Sequence, residues 1–233
     1  MRTHALKSPK HRLKERLAVS RNSFGPKRGY VVKLYYSPGA CSLAPHIMLR
    51  EIGHPFDLVK VDTGSHKTPD GGDFYAINPK GCVPVLQLEN GERLTEGPII
   101  AQYLCDQAKR SDLMPAFGSF ERYRVLEWQN YITSELHKSF SPLFNSQFDA
   151  NAKALHASGL RKKFGWVSEA LGSKEYLCGG NFTAADAYLF TVTSWARHVD
   201  LDLSNLTNLQ GYAERVAKRP SVQTALRAEG LLK

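Results

Sequence analysis

The sequence lacks three features that would each indicate a class of protein. Its 233 residues contain no apolar run that approaches the roughly 18 residues a membrane helix needs. Its four cysteines, at positions 41, 82, 105 and 178, form no Cys-x-x-Cys pair and no metal-ligand spacing with histidine. The sequence therefore predicts no membrane span, no disulfide framework and no metal site, and we expect a cytoplasmic protein with free thiols.

Acidic residues are scarce at the N-terminus, and this scarcity explains the basic character of the whole chain. The net charge is +9, from 31 Lys and Arg against 22 Asp and Glu. Residues 1–28 contain nine of the basic residues and one acid, Glu15, so this segment alone carries +8. The remaining chain is close to neutral, which gives no electrostatic case for a nucleic-acid partner. We interpret residues 1–29 as a disordered extension, with a transit peptide or a nucleic-acid-binding arm as alternatives.

A strand–helix–strand unit follows this segment and leads into a hairpin. Strands are predicted at 31–36, 56–61, 83–88 and 93–95, and helices at 43–52, 73–77 and 98–107. The first two strands should be parallel because a helix connects them, whereas Asn90-Gly91 is a strong signal for an antiparallel hairpin. This order predicts an α/β, thioredoxin-like domain over residues 30–110.

Helical patterns alone continue after Arg110. They predict helices over 119–140, 150–171, 184–199, 206–218 and 221–228. Thr183 and Asp186 stand three residues apart before one of these runs, so Thr183 should be the N-cap and Asp186 should reach back to the backbone of the cap. The sequence therefore predicts a second, all-α domain over residues 111–233.

The turn at residues 37–42, Ser-Pro-Gly-Ala-Cys-Ser, places the thiol of Cys41 directly before a predicted helix. Backbone N–H groups and the helix dipole favour negative charge there, and they can lower a thiol pKa below its usual value of about 8.5. The absence of a Cys-x-x-Cys partner disfavours a dithiol cycle and favours one reactive thiol or a site for the thiolate of a ligand. The alternative is a small buried cysteine that fills a gap.

Two further turns could complete a site for a peptide. A cis proline at Pro84 would leave the backbone of Val83 free to pair with an extended peptide, and a plain strand-starting proline is the alternative. Glu96 and Gly97 stand at a helix N-terminus, where N–H groups can hold a carboxylate and Glu96 can hold an ammonium group. Together they would match the amino-acid end of a ligand, whereas a simple capping role for Glu96 is the alternative.

A polar stripe marks the first helix of the second domain. Asn130, Ser134 and His137 are spaced i, i+4 and i+7 and would share one helix face. Their neighbours are largely apolar, so this polar face should line a cleft rather than face solvent. His137 could donate a hydrogen bond to a thiolate or transfer protons near neutral pH.

These motifs together resemble the bacterial beta class of glutathione S-transferases. The matching segments are residues 35–43, 78–84, 94–97, 127–138 and 182–190. The resemblance covers the chain from about Val32 to the C-terminus. Because the class begins near Val32, a start assigned too far upstream is a further explanation for the basic segment.

The resemblance implies a homodimer that uses glutathione as co-substrate, has no permanently bound cofactor and accepts a small hydrophobic electrophile. It implies that Cys41 faces the sulfur of glutathione and that His137 is a second catalytic residue. Val83 would pair with the peptide backbone, and Glu96 and Gly97 would hold the γ-glutamyl end. Further residues implied to border glutathione are Asn130 (across the dimer interface), Ser134, Glu135, Leu136 and His137 itself.

Three positions depart from the pattern of this class. His66 stands where a lysine often binds the glycyl carboxylate, so this contact falls to His66 or to the adjacent Lys67. Gly97 replaces the usual serine, which removes a hydroxyl but keeps the backbone N–H. Cys82 replaces a frequent glutamine and is either a second thiol near the site or a filler.

The sequence therefore predicts a glutathione S-transferase that conjugates glutathione to small electrophiles in detoxification, with thiol-transferase or peroxidase side activity. One alternative is a glutathione-dependent thiol transferase or reductase with Cys41 as the nucleophile. An alternative of another class is a non-catalytic protein that keeps this fold for ligand binding or docking.

Overall fold

A computed structural model describes residues 31–232 of the chain. A four-stranded mixed sheet forms the first part of these residues. Its strands are Val32–Tyr36 (β1), Phe56–Lys60 (β2), Val85–Gln87 (β3) and Arg93–Thr95 (β4). The spatial order is β2–β1–β3–β4, in which β1 and β2 are parallel and the other two pairs are antiparallel. The predictions for the basic segment 1–29 lie outside the described residues.

Two helices complete this part of the fold. Helix α1 (Leu43–Ile52) connects the parallel strands, and α2 (Gly97–Ala108) follows β4. A short 3-10 turn at Phe74–Ala76 precedes β3. The two helices pack against each other, and the reversal at Asn90-Gly91 joins β3 to β4. This arrangement confirms the predicted thioredoxin-like α/β fold.

The rest of the described chain is helical, which confirms the predicted all-α second part. Its helices are Phe120–Tyr131 (α3), Lys138–Phe144 (α4), Ala150–Leu171 (α5), Ala184–Thr193 (α6), Thr207–Ala217 (α7) and Pro220–Ala228 (α8). A 3-10 turn at Ser194–His198 extends α6. Within residues 31–232, no helix is long and apolar enough to cross a membrane.

The prediction of one regular helix over 119–140 is wrong in its middle. A π-helical turn at Ile132–His137 separates α3 from α4, and the Lys138 N–H bonds to the Thr133 carbonyl five residues earlier. The hydroxyls of Thr133 and Ser134 donate to the carbonyls of Gln129 and Asn130, at 2.8 and 3.1 Å. Side chains that bond in this way loosen the regular helix ladder, and the wider turn rotates every later side chain about the axis.

The predicted capping signal of α6 is confirmed. Thr183 is the N-cap, and its backbone N–H donates to the Asp186 carboxylate at 2.8 Å. The same carboxylate accepts from the Leu177 N–H at 2.9 Å. Burial raises the pKa of Asp186, although these backbone and hydroxyl donors oppose that effect. A buried carboxyl group therefore ties the loop before α6 to the start of the helix.

A continuous apolar core joins the sheet part to the helical part. Helix α1 contributes Leu43, Ile47 and Met48 to a cluster that consists mainly of side chains from the helical part. Helix α1 also contacts α6 and α8 directly. The turn before α1, which carries Cys41, therefore lies at the junction of the two parts.

Candidate functional site

The turn that carries Cys41 is closed by a buried serine. The Ala40 N–H donates to the Ser37 carbonyl at 3.0 Å. The Ser42 hydroxyl donates to the Ser37 carbonyl and accepts from the Ser37 N–H, both at 3.2 Å, and Ser42 is fully buried. Ser42 thus holds the turn together, and Cys41 is the residue of this turn that reaches the neighbouring cleft.

This cleft has a volume of about 630 Å³ and lies between the sheet part and the helical part. Six of the predicted site residues line it, namely Cys41, His66, Val83, Glu96, Gly97 and His137. The other lining residues are Thr63, Asn78, Lys80, Gly81, Cys82, Pro84, Thr95, Pro98, Thr133, Lys138 and Tyr188. The predicted residues therefore make up about a third of the wall of this cleft.

The Cys41 side chain faces backbone rather than another side chain. Its thiol donates to the Val83 carbonyl at 3.2 Å. Burial raises the pKa of Cys41 to about 12, so the expectation of a lowered pKa is wrong for this thiol. The backbone N–H groups of Cys41 and Ser42 do lower it, as predicted, but burial outweighs them. Cys41 is therefore a protonated thiol at neutral pH.

The backbone of Val83, beside this thiol, is not paired with another strand of the sheet. The peptide bond to Pro84 is cis, as the sequence suggested, and Val83 lies two residues before β3, outside the paired register of the sheet. The preceding loop is held by Asn78, whose side-chain amide donates to the Cys82 carbonyl at 2.6 Å. The backbone of Val83 thus faces the cleft from a fixed loop.

Glu96 stands at the N-terminus of α2 with an ion-pair partner that sequence reasoning missed. The Lys80 ammonium donates to the Glu96 carboxylate at 2.5 Å and to the Thr95 hydroxyl at 2.9 Å. Both side chains of the ion pair are more than half exposed. A solvent-exposed pair of this kind contributes little to stability, so an incoming ammonium or carboxylate group can exchange with either partner.

The structure separates the two candidates for the glycyl end. His66 lines the cleft, and its ring packs against Tyr75 with centroids 4.4 Å apart and a tilt of 32° between the planes. Among the described residues, the buried Nδ1 atom of His66 has no hydrogen-bond partner. Lys67 is exposed, its backbone pairs with Asp62, and it does not line the cleft. His66 is therefore the residue of this pair that a ligand in the cleft could reach.

His137 has a partner from a distant helix. Its Nδ1 atom lies 2.6 Å from the hydroxyl of Tyr188 on α6. Burial, reinforced by the nearby charge of Lys138, lowers the pKa of His137 to about 4. Burial likewise raises the pKa of Tyr188, so the phenol keeps its proton. His137 is therefore a neutral imidazole at neutral pH, and the expectation that it titrates near neutral pH is wrong.

The remaining predicted residues lie away from the cleft wall. The π-helical turn brings Thr133, His137 and Lys138 together in place of the predicted face of Asn130, Ser134 and His137. Asn130 lines an adjoining cavity that it shares with Glu96 and Thr133, whereas Ser134 is exposed.

Glu135 and Leu136 point to other surroundings. The Glu135 carboxylate pairs with the Lys163 ammonium at 2.9 Å, and this contact lowers the pKa of Glu135. Leu136 is fully buried in the apolar core, so the expectation that it borders the ligand is wrong for its side chain. Neither side chain therefore lines the cleft.

A second cavity, of about 720 Å³, lies on the far side of α3 and contains none of the predicted site residues. Its wall includes three aromatic side chains in mutual contact, Trp128, Tyr131 and Trp166, with ring centroids 4.6 to 6.2 Å apart. Although it is larger, its wall includes neither the turn at Cys41, nor Val83, nor the N-terminus of α2. The smaller cleft is therefore the candidate site.

Comparison with known proteins agrees with this geometry. The family model described as "Glutathione S-transferase, N-terminal domain" matches residues 39–107, and "Glutathione S-transferase, C-terminal domain" matches residues 131–220. The glutathione S-transferase GstA of Escherichia coli O157:H7 is 48% identical over 200 residues, which are 86% of this chain and 100% of GstA.

Two solved structures agree equally well. A beta-class glutathione S-transferase of Sphingomonas chungbukensis is 46% identical with a TM-score of 0.83, covering 86% of this chain and 100% of that one. A sphingomonad glutathione S-transferase complexed with glutathione is 45% identical with a TM-score of 0.82, covering 85% of this chain and 99% of that one. This chain therefore belongs to the glutathione S-transferase family and, within it, to the beta class.

Proposed function

We propose that this chain is a transferase that conjugates the sulfur of glutathione to small hydrophobic electrophiles. The observation that carries the proposal is the Cys41 thiol 3.2 Å from the Val83 carbonyl, in a cleft that extends to the Glu96 carboxylate. Residues 30–110 would bind glutathione, and residues 111–233 would shape the pocket for the electrophile. Its membership of a family whose named relatives are glutathione S-transferases supports this activity.

Glutathione fits the cleft as an extended peptide. Its cysteinyl backbone would pair with Val83, since the backbone there faces the cleft outside the sheet. Its ammonium group would contact Glu96, and its γ-glutamyl carboxylate would accept from the N–H groups at the start of α2, including that of Gly97. Its glycyl carboxylate would lie near His66. No permanently bound cofactor is needed, because the thiol of glutathione is itself the reactant.

The reaction requires a thiolate at the end of the cleft beside Cys41. The thiol proton of glutathione leaves to solvent, and the sulfur then forms a bond to the electrophilic carbon while a leaving group departs with its electron pair. Lowering a thiol pKa by two units is worth about 2.7 kcal/mol. The N–H groups of Cys41 and Ser42 can supply this stabilisation, because one hydrogen bond to a charged group contributes about 1.5–3 kcal/mol.

Cys41 and His137 would act as donors to that thiolate. The Cys41 thiol holds its proton, so it can donate to a sulfur anion but is a poor nucleophile itself. Neutral His137 accepts from Tyr188 at Nδ1 in this proposal, which leaves Nε2 as the N–H donor of the ring. Both groups would therefore stabilise charge without a change in their own protonation.

A thiol-transferase activity is the second candidate, because two thiols, Cys41 and Cys82, line the same cleft. Replacement of Cys41 separates the two activities. We expect Cys41→Ala to keep conjugation of a model aryl halide within about tenfold, since it removes one weak donor. Reduction of a glutathione mixed disulfide should fall by about a hundredfold or more, since it removes the nucleophile.

Cys41→Ser, which keeps a hydroxyl donor, is the matched control and should conjugate at near the wild-type rate. Loss of both activities in Cys41→Ala together would contradict this division of roles. A wild-type chain that binds immobilised glutathione but catalyses neither reaction would favour a non-catalytic docking protein.

We further propose a homodimer located in the cytoplasm. Ile99 on α2 is exposed and lines the cavity that contains Asn130 and Glu96, and Phe120 and Tyr123 on α3 are further exposed apolar side chains. A second copy packed on this surface would bury these side chains and place Asn130 near the glutathione of the partner. Sedimentation velocity should give twice the mass of the chain, whereas Tyr123→Glu should shift the protein toward the monomer.

A further inference from the structure

A buried carboxylate from the C-terminal end of the chain contacts the turn that carries Cys41. Glu229 directly follows α8, and its side chain has no exposed surface. One carboxylate oxygen accepts from the Gly39 N–H at 2.9 Å, and the other accepts from His46 Nδ1 at 2.8 Å. Both oxygens of a fully buried carboxylate are therefore occupied by donors from the sheet part of the fold.

The contact of His46 with Arg50 determines which ring nitrogen of His46 carries the proton. The Arg50 Nε–H donates to His46 Nε2 at 3.3 Å. Because a guanidinium group only donates, Nε2 must be the acceptor and Nδ1 must hold the proton. His46 thus donates to Glu229 and accepts from the positively charged Arg50. The hydrogen bonds therefore run from Arg50 through His46 and Glu229 to the backbone of Gly39.

The other side of Gly39 is held as well. The Trp195 indole N–H donates to the Gly39 carbonyl at 2.8 Å. The same indole packs edge-on against the ring of His137, with centroids 4.7 Å apart. Side chains from the helical part therefore hold both polar backbone groups of Gly39, and one of them also contacts a residue of the opposite cleft wall.

We propose that Glu229 is a positioning residue of the transfer reaction, which holds Gly39 and thereby aims the turn of Cys41 into the cleft. The inference rests on the proposed function, because the turn matters only if glutathione sulfur binds beside it. Glu229 does not touch the cleft and acts through Gly39. The carboxylate is needed because two N–H donors converge on it.

Glutamine at this position shows why the charge matters. Its amide has one acceptor oxygen and one NH₂ donor, so it can satisfy either Gly39 or His46 but sets two donors against each other at the remaining contact. His46 cannot relieve this conflict by moving its proton to Nε2, because the Arg50 donor lies there. Glu229→Gln therefore keeps the shape of the side chain and breaks one link of the clamp.

The test compares Glu229→Gln with Glu214→Gln, the same exchange at an exposed site on α7. Two quantities are measured: the KM for glutathione, and the rate at which iodoacetamide alkylates Cys41 without glutathione, followed by peptide mass spectrometry. In Glu229→Gln we expect the KM to rise about tenfold with a smaller change in kcat. We expect the Cys41 alkylation rate to rise about tenfold as the turn loosens, while Cys82 is unchanged. Glu214→Gln should behave as wild type.

Trp195→Phe, which removes the N–H donor to Gly39, should change both quantities in the same direction and decides the matter if Glu229→Gln does not fold. Unchanged KM and unchanged Cys41 alkylation in a folded variant would overturn the proposal, even if the melting temperature falls. A wild-type chain that neither binds nor transfers glutathione would refute the proposed function and with it the role in transfer, whereas the alkylation rates of the variants would still show whether Glu229 and Trp195 hold the turn.

Discussion

The acid stability of the protein should depend on His137. Burial lowers the pKa of this imidazole from 6.5 to about 4 in the folded chain, whereas an unfolded chain restores the ordinary value. Between these two pH values the unfolded state binds a proton that the folded state does not. The free energy of unfolding therefore rises with pH across this window. The contribution of the neutral His137 is progressively lost as the pH falls from 6.5 toward 4.

The magnitude follows from the width of the window. Each pH unit below 6.5 lowers the free energy of unfolding by about 1.4 kcal/mol while the folded imidazole stays neutral. At pH 5.0 the loss is about 2 kcal/mol relative to pH 7.5. His137→Asn removes the titrating ring but keeps an oxygen acceptor for Tyr188, so this variant should lack that part of the loss. Every other titrating group is shared by the two proteins and cancels in the difference.

The assay is urea unfolding followed by circular dichroism at pH 7.5 and pH 5.0, at one protomer concentration because association changes apparent stability. His156→Asn, an exchange at an exposed position on α5, is the matched control and should retain the full wild-type loss because His137 is intact. The reasoning is refuted if wild type and His137→Asn lose the same stability, within about 0.5 kcal/mol, between the two pH values.

Three further predictions concern other parts of the fold. Glu96→Gln should raise the KM for glutathione about tenfold, because a charged contact to the ammonium is lost; stability should change by less than about 1 kcal/mol, since the side chain is exposed. Gly81→Ala should cost about 1–3 kcal/mol in urea unfolding, because the residue has φ +64° and its new methyl would lie 2.7 Å from the Tyr75 ring. Gly91→Ala, with φ +85° and nothing within 4 Å, isolates the backbone part of that cost, and equal losses would exclude a steric effect. Asp186→Asn should destabilise the protein by about 2–3 kcal/mol, because its amide would set an NH₂ group against a buried backbone N–H; a loss below about 0.5 kcal/mol would contradict the cap network.

The elements that the sequence predicted well are those fixed by contacts within a few residues. Helix α1 begins and ends where the pattern placed it, at Leu43 and Ile52, with Gly53 as its cap. The cap at Thr183 and the hairpin at Asn90-Gly91 were correct for the same reason, because their hydrogen bonds join close neighbours. The turns singled out Cys41 and Val83, and the resemblance to a known class added that these two residues, far apart in the chain, contact the same ligand.

The details that the sequence could not predict depend on distant contacts or on helix register. One extra residue in the π-helical turn is enough to exchange Ser134 for Thr133 in the cleft wall. The contact of Tyr188 with His137 spans 51 residues, and no local pattern singles out this tyrosine. A pKa set by burial, such as that of Cys41, requires knowledge of all surrounding atoms.

The Val83 carbonyl has two potential hydrogen-bond donors, the Cys41 thiol and the backbone N–H of a bound peptide. In the structure it accepts from the Cys41 thiol, which is a weak donor. A peptide that pairs with Val83 brings its own backbone N–H, a stronger donor, to the same carbonyl. The Cys41 proton would then be free to turn toward the sulfur of the bound peptide, where charge would develop as the thiolate forms. On the proposed function, the same protonated state that makes Cys41 a poor nucleophile would suit it to stabilise the nucleophile of its co-substrate, which would favour conjugation over thiol transfer.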